Sequence, residues 1–101
     1  MNKVYIVQDT GKNFLPAADF GEIEILLPKS KNNNEDYPQI LEYLGTRLAD
    51  IDESDYLILT GDPIVMGLAT WVAMSYLGAL NLLKWNHTKY KYEEVTINDR
   101  E

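Results

Sequence analysis

The chain has 101 residues, 46% of them apolar and 25% charged, which suits one globular domain with a single core and is too short for two. It contains no cysteine, which excludes disulfides, thiolate metal sites and cysteine nucleophiles, and a reducing, cytoplasmic setting is expected. The formal net charge of −7 argues against binding duplex nucleic acid, which rests on neutralising phosphates with Lys and Arg.

Met1-Asn2-Lys3 runs straight into a strand pattern without an apolar leader, so no secretory signal is expected. Val4-Tyr5-Ile6-Val7 is apolar on both faces, as a central strand requires. Gln8 to Asp19 reads as a loop. Glu22 to Leu27 alternates, which predicts a half-exposed strand with Ile23, Ile25 and Leu27 on one face, stopped by Pro28. Lys29 to Asn34 is a polar loop with three consecutive asparagines.

Tyr37, Ile40, Leu41, Leu44 and Leu48 share one face of a helix that Asp36 or a neighbour caps. Asp50 to Asp55 is an acidic turn. Its spacing does not fit a calcium loop, because Asp55 and Gly61 stand where such a loop needs glycine and glutamate, so no metal site is expected. Tyr56-Leu57-Ile58-Leu59 is a second strand apolar on both faces. Asp62 and Pro63 then form a helix start, and the helix runs through Leu77 to Gly78. No charged residue occurs between Pro63 and Leu83, a length that raises a membrane span, but the internal helix start and stop favour a buried soluble helix. Because this helix is apolar nearly all round, its outer face calls for a cover, and a homo-oligomer is expected. Leu80 to Trp85 and Tyr90 to Ile97 form a hairpin about the turn Asn86 to Lys89.

The elements predict an α/β fold of a single domain, residues 1–101 with a frayed tail at 98–101. A mixed sheet of five strands and two helices follows in the order β-β-α-β-α-β-β. The unit Tyr56 to Trp85 is a right-handed crossover between parallel strands, and the last strand returns antiparallel.

No arrangement of nucleophile and base emerges. His87 is the sole histidine and falls in the hairpin turn, so no catalytic residue is assigned. The most informative stretch is Thr60-Gly61-Asp62-Pro63, where a central strand meets a helix N-terminus, the geometry that offers backbone N–H groups to an anion. In open α/β sheets ligands settle at such strand ends. If the first and third strands are parallel, Gln8, Asp9 and Thr10 reach the same rim, with Trp85 and Asn86 at the end of the fourth and Lys84 just before them. The candidate ligand site is therefore Gln8, Asp9, Thr60, Gly61, Asp62, Pro63, Lys84 and Trp85. Lys84 to Tyr92 is the one basic and aromatic stretch of an acidic chain, suited to stacking a base and meeting a phosphate. Asp9 and Asp62 at one rim are the only support for a metal-assisted nuclease.

Tyr56 to Pro63, the apolar helix, Leu83-Lys84-Trp85 and the closing Tyr92 to Ile97 strand together resemble a group of small proteins from bacteriophages and other mobile elements. Val4 to Gln8 and Pro16 to Leu27 are similar in style, so the likeness spans most of the chain. Asn86-His87-Thr88 departs from the more charged turn of that group. The resemblance implies a viral origin and a host-cytoplasm setting, and it brings no activity, cofactor or catalytic residue. A shorter likeness, confined to the strand–glycine–proline–helix unit, is to CRISPR-associated ring-nuclease-type domains. Two functions are then expected: sequestering a nucleotide or nucleotide-derived defence signal, or binding and inhibiting a host protein through the acidic surface.

Overall fold

The computed structural model of the chain describes residues 2–29 and 36–98. The element order is β1 (Lys3–Gln8), a 3-10 turn (Leu15–Asp19), β2 (Glu22–Leu27), α1 (Tyr37–Arg47), β3 (Tyr56–Ile58), α2 (Pro63–Leu77), β4 (Ala79–Asn86) and β5 (Lys91–Asn98). Most of the polar loop at Lys29 to Asn34, and the tail after Asn98, lie outside the described residues.

The five strands form one sheet in the order β2-β1-β3-β4-β5. β1 is parallel to both β2 and β3, β3 is parallel to β4, and β5 is antiparallel to β4. The fold is α/β with a mixed sheet, as the strand and helix pattern predicts. β1 earns its interior place because Val4 to Val7 are buried on both faces.

The two faces are covered unequally. Tyr5, Val7, Leu26, Leu57 and Leu80 pack with Leu44, Leu48, Val65, Ala69 and Val72 beneath α1 and α2. On the other face Val4, Ile6, Ile58 and Leu83 are covered, among the described residues, by Phe14, Ala17 and Phe20 from the segment joining β1 to β2, with Ile23, Tyr56 and Tyr92 of the strands beside them. That segment is more than a loop. Its 3-10 turn seats Ala17 in the core and lays a thin cover over the strands.

The caps stop the helices where the sequence reading expects. Asp36 Oδ1 accepts from the Gln39 amide (3.1 Å), Asp62 Oδ1 accepts from the Ile64 amide (2.8 Å), and Gly78 ends α2 in the left-handed region at φ 72°. α2 has 15 residues, and no helix among the described residues is long and apolar enough to cross a membrane.

Three local expectations need correction. β2 buries Leu26 on the face it shares with Glu24, while Ile25 is exposed. Alternation marks two faces but does not say which one a helix will cover, and on this edge strand α1 covers the glutamate side. Leu59 leaves β3 early and is partly exposed, because the chain must swing into the α2 turn. The hairpin turn lies one residue later than expected: Asn86 ends β4, its Oδ1 accepts from the amides of Thr88 and Lys89, and Tyr90 takes a left-handed φ of 53°.

Candidate functional site: a cleft beside the β4–β5 hairpin

The carboxyl ends of β1, β3 and β4 share one rim, since all three run parallel. Gln8 is the knot of that rim. Its buried amide oxygen accepts from the Asp62 N–H (2.9 Å), its Nε2 donates to the Pro28 carbonyl (3.3 Å), and its own carbonyl accepts from the Thr60 hydroxyl (2.6 Å). Gly61 passes over it at φ 99°, and a side chain at Gly61 would bring its Cβ to 2.6 Å from Gln8 Cβ. Glycine alone meets both demands.

The helix tip above this knot is largely self-satisfied. Asp62 Oδ1 takes the Ile64 amide, and Oδ2 accepts from the Tyr37 hydroxyl at 2.8 Å. Asp9 Oδ1 likewise accepts from the Gly11 amide at 2.9 Å. The amides expected to greet an anion at the α2 start are thus partly held by Gln8 and Asp62 themselves. The two carboxylates that suggest a metal-assisted reaction are each holding a protein donor. The Thr10 hydroxyl, by contrast, is buried and has no hydrogen-bond partner among the described residues.

The open space lies next to the knot. Because β4 continues to Asn86 while β3 ends at Ile58, the last residues of β4 extend past their neighbour. A cleft of about 570 Å³ fills the gap. One wall is Lys12, Asn13 and Phe14 from the segment after β1, and the other is Lys84, Trp85, His87 and Tyr92 from the hairpin. Ile58, Leu83 and Thr60 lie between them. The volume falls within the range of ordinary small-molecule sites, and an apolar lining with a few polar groups is their usual composition.

The aromatic wall is held in place. Trp85 and Tyr92 are cross-strand partners whose rings meet edge to face, with centroids 5.0 Å apart and planes at 68°. Burial pushes the Tyr92 hydroxyl above its ordinary pKa, as a ring half-sunk in an apolar wall should be. Deeper in the same face Phe20 packs edge to face on Tyr56 at 5.4 Å, and the Tyr56 hydroxyl is also raised, by burial first and then by the neighbouring Glu94.

Charge is unevenly distributed around this framework. Of the chain's nine basic residues, Lys12, Lys29, Lys84, Lys89 and Lys91 belong to the rim and hairpin end. The opposite end of the strands carries Asp19, Glu22, Asp50, Asp52, Glu53 and Asp55. Both ion pairs among the described residues use Glu24, with Lys3 (3.4 Å) and Arg47 (3.1 Å), far from the rim. Lys12 and Lys84 therefore make no ion pair among the described residues, although Lys84 stands across the hairpin from Glu93. The acidic turn is a hydrogen-bonding device: the buried Asp55 carboxylate accepts from the amides of Lys3 (2.8 Å) and Asp52 (2.9 Å).

Of the site residues expected from sequence, Thr60, Lys84 and Trp85 line the cleft, whereas Gln8, Gly61, Asp62 and Pro63 build the rim beside it and Asp9 caps its own turn. Lys12, Asn13 and Phe14 were not expected there. They lie in an irregular segment with no periodicity, and the only signal is Lys12 two residues before Phe14. His87 is exposed in the turn, as read, and also borders the cleft.

A family described as phage Pam3 gp32-like protein matches residues 2–99 of the chain. No curated protein and no solved structure matches it, and the likeness to ring-nuclease-type domains is not supported.

Proposed function

The chain belongs to the phage Pam3 gp32-like family, and from that premise we propose that it binds a nucleotide-like ligand in the cleft between Phe14 and Trp85. One observation carries the reading: aromatic faces and two lysines that make no ion pair among the described residues converge on a single cavity of nucleotide size in a chain of net charge −7. An acidic protein repels phosphates except where its few cations are gathered. Here Lys12 and Lys84 would meet the phosphate, and Trp85 with Tyr92 would take the base by stacking. Thr60 and Asn13 supply hydroxyl and amide groups for the sugar or the base edge. The rim knot holds Thr60, which lines the cleft between the two walls.

In a phage protein such a site suits sequestration, in which a nucleotide or nucleotide-derived defence signal is held out of circulation in the host cytoplasm. Isothermal titration against mono-, cyclic and short oligonucleotides tests this. Binding in the micromolar range or tighter is expected from at least one member. Trp85→Ala should weaken it about tenfold or more, since one base stack is worth ~1–3 kcal/mol. Absence of heat from every member removes the proposal.

A second reading has its own observation. The acidic end of the strands, Asp50, Asp52 and Glu53 with Asp19 and Glu22, is a surface suited to a basic host protein. Capture of a stoichiometric host partner, lost when Asp50, Asp52 and Glu53 become Asn, Asn and Gln, would favour it.

A further inference from the structure

We propose that the cleft reads a base edge-on through the main chain of β4, where the Leu83 carbonyl and the Trp85 amide select an adenine-type edge; this rests on the nucleotide reading above and deepens it. Successive residues of a strand turn their backbone N–H and C=O to opposite edges. The Glu22 amide donates to the Asn2 carbonyl on the β2 side (2.9 Å), while the Lys3 amide turns the other way, to Asp55 just ahead of β3 (2.8 Å). By alternation Tyr5 also serves β3, so Tyr56 and Ile58 answer it from β3. Leu57, between them, serves β4. On β4 the residues whose backbone groups face the β3 side are then Asn81, Leu83 and Trp85.

The ladder stops before it has used them all. β3 pairs with β4 only as far as Leu82, and the Leu59 amide, next in line for the Leu83 carbonyl, makes no backbone hydrogen bond among the described residues. β5 takes up Lys84 and Asn86, whose backbone groups face the other edge. The Leu83 carbonyl and the amide and carbonyl of Trp85 are left without a protein partner among the described residues, although Leu83 is only 4% exposed. Buried backbone groups are ordinarily paired. The cleft lies where these three point. Its lining joins Leu82 of the helix-covered face to Leu83 and Tyr92 of the other, and a cavity bordered from both faces lies at the strand edge, in the plane of the sheet.

The array selects the occupant. Along the edge stand an acceptor, a donor and an acceptor: Leu83 C=O, Trp85 N–H and Trp85 C=O. On adenine the amino group donates, the ring nitrogen beside it accepts, and the next ring carbon brings no lone pair against the last carbonyl. Uracil repeats the protein's own sequence of acceptor, donor and acceptor, and in that register sets like against like. A peptide strand would need a longer edge, because β4 ends at Asn86 and the chain turns into the hairpin. Stacking on Trp85 is indifferent to the base, since every base has a π-face. A site built of backbone N–H and C=O is not indifferent, because the wrong edge leaves those groups unpaired.

Titration calorimetry on the whole chain compares adenosine monophosphate with inosine monophosphate and with the dimethylamino analogue of adenosine monophosphate. All three share the phosphate, the sugar and a purine face. Inosine carries an acceptor in place of the amino donor, and the dimethylamino compound has no donor there. Adenosine monophosphate is expected to bind about tenfold more tightly than either. A chain in which an ester replaces the Trp85 amide loses that N–H and keeps the indole. Its fold should be retained on circular dichroism, because this N–H has no place in the β4–β5 ladder, and its affinity for adenosine monophosphate should fall about tenfold. Equal affinity for the three nucleotides, or an ester chain that binds like the parent, overturns the proposal and leaves the nucleotide reading standing. Binding of other nucleotides but none of these three overturns it too, whereas silence from every nucleotide removes both.

Discussion

Gly61 shows how much of the rim rests on one backbone conformation. Its φ of 99° is disfavoured for any residue with a Cβ, and Gln8 leaves no room for one. Gly61→Ala must therefore either strain the turn or displace the Gln8 amide from Asp62. Either route should cost about 1–3 kcal/mol, read as a lower urea midpoint at unchanged slope. An unchanged midpoint would mean that the knot holds nothing. The Thr60-Gly61-Asp62-Pro63 turn was readable in the sequence because each residue has a local reason to be there: glycine for φ, aspartate for the cap, proline for the first helical turn. The partner of that turn was not. Gln8 lies 54 residues from Asp62, and no local pattern announces that a buried amide side chain will complete a distant helix start. Phe14 and Lys12 were hidden for the same reason, being placed by the fold and not by their neighbours.

Elements with both faces buried, or with strong caps, were legible nearly to the residue. β2 was not, because an edge strand has alternation without a label saying which side is covered. The side turned to α1 carries Glu24, and burial alone would raise its pKa. The hydrogen bonds from Arg47 and Lys3 outweigh burial and hold the carboxyl below its ordinary range. A lowered folded-state pKa means the charged form is the one the fold favours. Its stabilising effect is complete above the unfolded value near ~4.3 and fades as pH falls through the lower folded value. Glu24→Gln should accordingly destabilise the protein at pH 7 by about 1 kcal/mol or less, since the pair is partly exposed, and by nearly nothing near pH 2. Thermal melts of both proteins across that range provide the check, and a difference independent of pH would assign the pair no electrostatic role.

For the molecule as a whole, two kinds of surface differ in charge. The rim cleft is charged and aromatic, whereas the outer face of α2 is apolar and uncharged. Salt should therefore act on the proposed ligand site. Raising ionic strength from about 50 to 500 mM screens lysine–phosphate attraction and should weaken nucleotide binding roughly tenfold. Titration at the two salt concentrations measures the change, and an affinity that salt leaves unmoved would take Lys12 and Lys84 out of the reading.

The sheet order also bears on how the protein is made. β1 is an interior strand, yet it leaves the ribosome before either of its neighbours, and the β3 residues that flank it lie 52 positions downstream. At ~5–20 residues per second of synthesis, the Val4 to Val7 ridge waits seconds for the neighbour that shields its second edge. A nascent chain halted short of Tyr56 holds its most apolar strand half-clad and open to foreign strands, whereas one released past Leu80 can close over it at once. Birth order, not final stability, sets the moment of greatest risk for this fold.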